Sequence, residues 1–197
     1  MKNQAPAPLL LASASPRRRE ILTLLGEDFE VEPALSEPPP DPALPLEKAV
    51  LAVARCKAEE VAARHPHRLV VGADTIVVAE GKILGKPGSP EEAGRMLRLL
   101  AGRTHEVMTG VWICSPGLCG GFTDTASVSF FPMTEEEIAE YVDSGEPMDK
   151  AGSYGIQGYG SMFVSHLDGD YFCVMGLPVC TLAGMLRSAG VEILGQI

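Results

Sequence analysis

Short apolar runs that pass directly into capped helices recur along this chain of 197 residues. Leu9–Leu11 has the composition of a buried strand, and Ser15-Pro16 supplies the N-cap and the first position of a helix. Ser89-Pro90 repeats that pattern, and Thr134 with Glu137 has the spacing of a capping box. Strands that alternate with helices are typical of α/β proteins, so we predict an α/β fold with a mixed sheet.

The spacing of apolar and turn-forming residues predicts the remaining elements. We expect strands at 69–78, 82–84, 105–114, 122–131 and 162–167, and helices at 16–25, 45–65, 90–101, 135–142 and 182–189. The proline-rich stretch 29–45 and the glycine-rich stretch 116–121 are expected to be loops. The strands on either side of 116–121 are neighbours in the chain, so we expect them to pair antiparallel.

Composition limits the classes of function. With 46% hydrophobic residues the chain is globular, and its length fits one domain over residues 1–197. Its 26 acidic residues outnumber its 16 basic ones, which disfavours a nucleic-acid polymer as partner because such binding needs a basic face. We expect no membrane-spanning segment, no signal peptide, and a cytoplasmic location with its cysteines reduced.

The first helix begins with three consecutive arginines, Arg17–Arg19. Positive charge in the first turn opposes the helix dipole, so this arrangement costs helix stability. The free N–H groups of a helix N-terminus attract anions, and the arginines add full charges beside them. The stretch Ser13–Arg18 therefore fits a phosphate pocket as well as a solvated basic turn.

Asp74 and Lys86 occupy unusual positions in the sequence. Asp74 interrupts a run of β-branched residues, where an acid is unfavourable. It is either a general base or metal ligand at a strand end, or a structural acid at a bulge. Lys86 lies in Gly85-Lys86-Pro87-Gly88, which suits a phosphate contact or a plain surface turn and lacks the spacing of a Walker A loop.

The stretch Glu146–Gly158 is the most unusual in the chain. Three of its last seven residues are glycines, which let a backbone turn sharply or approach a ligand closely. Gln157 could offer both a donor and an acceptor to the edge of a base, while a plain structured loop is the alternative. His105, at the start of a predicted strand, is interpreted as a structural residue.

Taken together, these stretches resemble the Maf family of nucleotide pyrophosphatases over essentially the whole chain. The resemblance rests on four motifs in the family's order, namely Ser13–Arg18, Gly72–Thr75, Gly85–Pro87 and Asp149–Gly158. It implies an elongated mixed β-sheet flanked by helices, with two lobes around a central cleft as in inosine-triphosphatase-like folds. It also implies a homodimer.

The resemblance implies hydrolysis of a nucleoside triphosphate to the monophosphate and pyrophosphate with a divalent metal, Mg²⁺ or Mn²⁺. Asp74 matches the family's proton acceptor, and Glu37 is the acid available for a metal or water contact. The positions that match triphosphate-binding residues are Ser13, Arg17, Lys57 and Lys86. The positions associated with base choice are Arg18, Thr75 and Gln157, and this set resembles the dTTP/UTP subgroup.

Two other functions remain open at this point. One is a nucleotide-binding regulator of cell division or septum formation that acts through a protein partner, and it predicts binding without appreciable turnover. The other is a related inosine-triphosphate-type hydrolase. In the leading hypothesis the enzyme also clears modified pyrimidine nucleotides, as members of the family are thought to do.

Overall fold

The computed structural model describes residues 9–26 and 28–193, and within them seven strands form one mixed sheet flanked by helices. The strands are β1 Leu9–Leu11, β2 Phe29–Val31, β3 Val70–Ala79, β4 Lys82–Leu84, β5 Thr104–Ser115, β6 Leu118–Phe130 and β7 Val164–Asp168. Their order is β2-β1-β3-β5-β6-β7, and β4 pairs with β3. The predicted α/β class with a mixed sheet is confirmed.

Parallel and antiparallel pairs coexist in the sheet. β1 pairs parallel with both β2 and β3, whereas β4 pairs antiparallel with β3 and β7 pairs antiparallel with β6. The helices are α1 Pro16–Thr23, α2 Leu46–Arg64, α3 Pro90–Leu100, α4 Glu135–Asp143, α5 Tyr171–Met175 and α6 Val179–Ser188. Helix α1 connects β1 to β2, as a parallel pair of strands requires a crossover. No helix of the described ranges is long and apolar enough to cross a membrane.

The chain divides into two compact units. Unit 1 comprises Met1–Asp74, Gly110–Thr123 and Gly176–Ile197, and unit 2 comprises Thr75–Thr109 and Asp124–Met175. The prediction of a single domain over residues 1–197 stays a prediction.

In unit 1, two glycines let α2 lie directly against the sheet. A Cβ on Gly72 of β3 would come within 2.6 Å of the Ala54 carbonyl oxygen and 2.7 Å of the Ala58 amide nitrogen. A Cβ on Gly110 of β5 would come within 2.8 Å of the Leu51 Cα. Any larger residue would push α2 away from the strands, because backbone atoms cannot yield as a flexible side chain can.

In unit 2, three aromatic rings pack edge to face. The centroid of His105 lies 5.1 Å from that of Phe130 and 5.2 Å from that of Tyr154, and the last two rings are 4.8 Å apart. His105 Nε2 forms a hydrogen bond of 2.8 Å with the Tyr154 hydroxyl. Its Nδ1 is buried and has no partner among the described residues. These contacts agree with the structural interpretation of His105.

Burial lowers the pKa of His105 to about 4, because a charged ring would lose its hydration there. The ring titrates near ~6.5 in an unfolded chain, so the unfolded state takes up its proton first as the pH falls. The contribution of the neutral His105 ring to the free energy of unfolding is therefore fully present above about pH 6.5. It decreases by up to about 3 kcal/mol as the pH falls toward 4.

Urea unfolding between pH 7 and pH 4 tests this expectation. The free energy of unfolding of His105→Phe should depend less on pH than that of the wild type, since the variant has no buried imidazole to protonate. His166→Gln is the control, because His166 is an exposed histidine on β7. Equal pH dependences for His105→Phe and the wild type would contradict the assignment.

The proline-rich stretch 29–45 is not entirely loop, so that prediction is wrong in part. Phe29–Val31 forms β2 and pairs parallel with β1. These three residues precede Pro33, the first proline of the stretch. Phe29 and Val31 favour a strand, but three residues are too few to show a strand period, and their extended conformation depends on pairing with β1.

The predicted loop at 116–121 is also wrong in part. β6 begins at Leu118, so Pro116 and Gly117 alone separate it from β5, and Gly117 has a φ of +85°. Gly121 lies within β6, where a Cβ would come within 2.3 Å of the Val111 carbonyl oxygen. Gly121 therefore permits a close backbone approach between the two strands. In the sequence, the same glycine had been interpreted as part of a loop.

Several element ends also differ from the predictions. The strand predicted at 162–167 is Val164–Asp168, and the closing helix predicted at 182–189 is Val179–Ser188. Helix α1 ends at Thr23, since the amides of residues 24–26 bond to carbonyls three residues earlier and tighten its end. Helix α5 was not predicted, because five residues are too few to show a helical period.

Candidate functional site

Two carboxylates of unit 1 contact one buried ammonium group. Lys57 Nζ donates to Glu37 Oε1 at 2.5 Å and to Asp74 Oδ1 at 2.8 Å. The side chains of Lys57 and Asp74 are 7% and 15% exposed, whereas that of Glu37 is 70% exposed. The structure therefore brings together three of the residues that the sequence analysis selected.

The glycine of the Gly72-Ala73-Asp74 motif explains how Asp74 meets Lys57. Side chains two apart on a strand point to the same face, so Asp74 lies on the face that Gly72 turns toward α2. On α2, Ala54 and Ala58 contact the Gly72 position. Lys57 belongs to the same face of α2, three residues after Ala54. The close packing at Gly72 thus places the ammonium against the carboxylate.

The segment that carries Glu37 is held by an acidic residue of α2, Glu60. Glu60 accepts hydrogen bonds from the amides of Leu35 and Ser36, at 2.8 and 3.0 Å, and from the Ser36 hydroxyl. These bonds, led by the one from the Ser36 hydroxyl, lower the pKa of Glu60 to about 2. Sequence analysis missed Glu60, although its position three residues after Lys57 puts both on one helix face.

Arg18 and Ser13 form the second part of the unit 1 arrangement. Arg18 is buried, and its Nε donates to the Gly176 carbonyl oxygen at 2.8 Å while its Nη1 donates to Ser13 Oγ at 3.1 Å. Ser13 Oγ also accepts from the Ser15 amide at 3.3 Å. A hydroxyl oxygen accepts two hydrogen bonds, so Ser13 has its own O–H left to donate to a ligand.

The charges of this arrangement act on one another. Burial lowers the pKa of the Arg18 guanidinium below its ordinary value, and the positive charge of Arg17 lowers it further. Asp74 and Glu37 act in the opposite direction and raise it. Arg18 is therefore electrostatically coupled to both carboxylates that contact Lys57.

Thr75 begins the unit 2 part of β3. Its hydroxyl lies 2.9 Å from that of Thr109, which in turn donates to the Cys173 carbonyl oxygen at 2.7 Å. Thr109 is completely buried, with 0% exposure, whereas Thr75 is half-buried. Sequence analysis selected Thr75 and missed Thr109, since nothing in the local sequence links the two.

Lys86 and Gln157, the other two selected residues of unit 2, are both exposed. The Gly152 amide donates to the Gly85 carbonyl oxygen at 3.1 Å, so the third and fourth motifs of the sequence are in direct contact. Gly152 has a φ of +69°, and a Cβ there would come within 2.8 Å of Val77. Glycine is required at position 152 because of the positive φ and because there is no space for a Cβ.

One carboxylate organises the loop that carries Gln157. Glu146 accepts hydrogen bonds from the Tyr141 hydroxyl at 2.9 Å and from the amides of Tyr159 and Gly160 at 2.9 and 3.1 Å. Burial opposes ionisation of Glu146, but these bonds prevail and its pKa is lowered. The local sequence does not indicate this role of Glu146, because its partners lie up to 14 residues away.

Glu146→Gln is expected to loosen this loop. An amide group cannot accept from N–H donors at both of its heavy atoms, so at least one of these bonds is lost, at a cost of about 1–3 kcal/mol. Hydrogen exchange should become faster at the Tyr159 and Gly160 amides. Glu140→Gln, on the exposed face of α4, is the matched control, and unchanged protection in Glu146→Gln would show that the carboxylate does not hold the loop.

The donor set of unit 1 suits a hard divalent cation held jointly with a phosphate ligand. Mg²⁺ prefers oxygen ligands and is usually bound through one or two carboxylates together with substrate phosphates. Glu37 and Asp74 supply two such carboxylates around one point. No group of three or more histidine, cysteine or acidic side chains within residues 9–26 and 28–193 could hold a metal ion alone.

A family profile and curated relatives show the family to which this chain belongs. A family profile described as Maf-like protein matches residues 8–189. A dTTP/UTP pyrophosphatase of Koribacter versatilis is 48% identical over 93% of this chain and 95% of its own length. One of Moorella thermoacetica is 47% identical, over 96% and 98%. The structure of the Staphylococcus aureus Ham1 protein aligns with 11% identity and a TM-score of 0.48 over 93% of this chain and 100% of its own, too weakly to bear on function. The chain belongs to the Maf family.

Proposed function

We propose that this protein hydrolyses dTTP and UTP to the corresponding monophosphate and pyrophosphate. The observation that carries the proposal is the pair of carboxylates, Glu37 and Asp74, on the buried ammonium of Lys57. Relatives that are 43–48% identical over more than nine-tenths of this chain bear the name dTTP/UTP pyrophosphatase. We assign each step of this hydrolysis to residues of this chain.

Asp74 is the proposed general base. Its Oδ1 accepts from Lys57, while its Oδ2 has no hydrogen-bond partner within the described part of the chain. That oxygen can take a proton from a water molecule as the water oxygen attacks the α-phosphorus. The new P–O bond forms, the bond between the α-phosphorus and the bridging oxygen breaks, and pyrophosphate leaves.

Phosphate binding is assigned to Ser13, Arg17, Lys57 and Lys86. The remaining O–H of Ser13 suits a phosphate oxygen, because phosphate oxygens only accept hydrogen bonds. Arg17 lies in the first turn of α1, where the free N–H groups of the helix also favour an anion. Lys57 and Lys86 supply point charges that offset the negative charge on the leaving pyrophosphate.

A divalent cation, Mg²⁺ or Mn²⁺, is part of the proposal, with Glu37 as its protein ligand. When bound, it would withdraw charge from the phosphate oxygens and supply the positive charge that a protein of net charge −10 lacks. Lys57, which contacts both carboxylates, keeps them close together. Base choice is assigned to Arg18, Thr75 and Gln157.

Turnover of a panel of nucleotides tests the proposal. The panel contains the eight common (d)NTPs, 5-methyl-UTP and 7-methyl-GTP, with Mg²⁺ or Mn²⁺, and both products are quantified. We expect turnover concentrated on dTTP and UTP. The panel includes 5-methyl-UTP as a modified pyrimidine nucleotide. Turnover on 7-methyl-GTP or purines alone would overturn the substrate assignment, and binding without turnover would favour a nucleotide-binding regulator.

The assembly and location are proposed on the resemblance to the family. We propose a homodimer that acts in the cytoplasm and removes modified pyrimidine nucleotides from the pool. Light scattering on the purified chain would distinguish a dimer from a monomer of 20.9 kDa.

A further inference from the structure

Three groups of unit 2 form a directed chain of hydrogen bonds. Thr75 Oγ1 lies 2.9 Å from Thr109 Oγ1, and Thr109 Oγ1 lies 2.7 Å from the Cys173 carbonyl oxygen. Thr109, in the middle, has no access to solvent. Thr75, at the end, is half-buried and so can be reached by a ligand.

The number of protons fixes the direction of this chain. A carbonyl oxygen only accepts, so the single proton of the Thr109 hydroxyl must point to Cys173. Thr109 can then take part in the contact with Thr75 only as the acceptor, and Thr75 must donate. Whatever else it contacts, the Thr75 hydroxyl has committed its one proton and meets a ligand through its lone pairs.

The residue at the far end, Cys173, is also held by contacts with residues other than Thr109. Cys173 is completely buried in α5, and its thiol lies 3.3 Å from the Asp124 carbonyl oxygen and 3.6 Å from that of Val107. Helix α5 ends at Met175, so the Cys173 carbonyl is one of the last-turn carbonyls that have no partner within the helix. The Thr109 hydroxyl is therefore its partner, and the direction of the chain is stable.

The polarity of Thr75 suits one class of pyrimidine. Uracil and thymine carry a hydrogen at N3 and can donate there, whereas N3 of cytosine is a bare acceptor. We infer that Thr109, oriented by the Cys173 carbonyl, makes Thr75 an obligate acceptor and thereby favours uracil and thymine over cytosine nucleotides. This inference rests on the proposed function, in which Thr75 contacts the base, and makes Thr109 a positioning residue.

Thr109→Val tests the inference, because valine has nearly the shape of threonine without the hydroxyl. The substitution frees the Thr75 proton, so Thr75 can donate to N3 of cytosine. The ratio of kcat/KM for UTP to that for CTP should fall by about tenfold or more. Thr109→Ser keeps the hydroxyl and should keep the wild-type ratio.

A matched control separates polarity from stability. Thr134→Val makes the same substitution in unit 2 and removes the hydroxyl that caps α4. Both valine variants should lower Tm, but only Thr109→Val should change the ratio. If Thr109→Val does not fold, Thr109→Cys can replace it, because a thiol is a weaker hydrogen-bond donor and acceptor than a hydroxyl. The ratio of kcat/KM for UTP to that for CTP must still fall in this variant.

A double-mutant cycle shows whether Thr109 acts through Thr75. In a Thr75→Val background, Thr109→Val should have no further effect on the UTP:CTP ratio. An unchanged ratio in Thr109→Val with wild-type turnover of UTP would overturn this inference and leave the proposed function intact. If the wild type turns over no nucleotide, the proposed function fails, and competition binding of UTP and CTP to the same variants decides the inference.

Discussion

Asp74→Asn is expected to lower kcat for UTP hydrolysis by a factor of roughly 10² to 10⁴, the usual contribution of a general base. The asparagine side chain is close in size to aspartate, but it cannot accept a proton from water at neutral pH. The fold should persist, because Lys57 keeps its ion pair with Glu37. Pyrophosphate release measures the rate, and thermal unfolding monitored by circular dichroism reports the fold.

The matched control for this variant is Asp143→Asn, at the exposed end of α4. It makes the same chemical change in the same protein and should leave kcat at the wild-type value. Retention of hydrolysis in a folded Asp74→Asn protein would refute the assignment of Asp74 as the base. It would also move the search for the base to another acid of unit 1.

Lys57→Met is expected to lower both stability and activity. Removal of the buried ammonium leaves Asp74, which is 15% exposed, without its partner, and an unpaired buried charge of this kind costs about 3 kcal/mol. Activity should fall further than stability explains, because the variant also lacks a cation for the phosphates. Urea unfolding gives the free energy, and initial rates with UTP give the activity.

A double variant makes this second prediction specific. Asp74→Asn should add stability in the Lys57→Met background, since it removes the carboxylate that has lost its partner. Lys82→Met, on the exposed strand β4, controls for the loss of a lysine. Additive free energies for Lys57→Met and Asp74→Asn would contradict a direct interaction between the two side chains.

Local signals in the sequence predicted those parts of the fold that local physics determines. The start of α1 after Ser15 and the capping box of Thr134 with Glu137 appear in the structure as predicted. Each depends on hydrogen bonds between residues at most three apart. By contrast, β2 has three residues, too few to show a strand period, and it depends on pairing with β1.

The candidate site shows the same division. Asp74 could be selected because an acid is unexpected in a buried strand, but its contact with Lys57, 17 residues away, is a product of the packing at Gly72. Glu60 and Thr109 could not be selected, because each matters through the partner it orients. Residues that position other residues acquire that role only in the folded chain.

In the proposed reaction, water attacks the α-phosphorus of UTP and pyrophosphate is released. Hydrolysis of UTP by the wild-type protein in H₂¹⁸O, followed by mass spectrometry of both products, tests it most directly. We expect the ¹⁸O label in UMP and unlabelled pyrophosphate. Label in pyrophosphate, or UDP and phosphate as products, would contradict it.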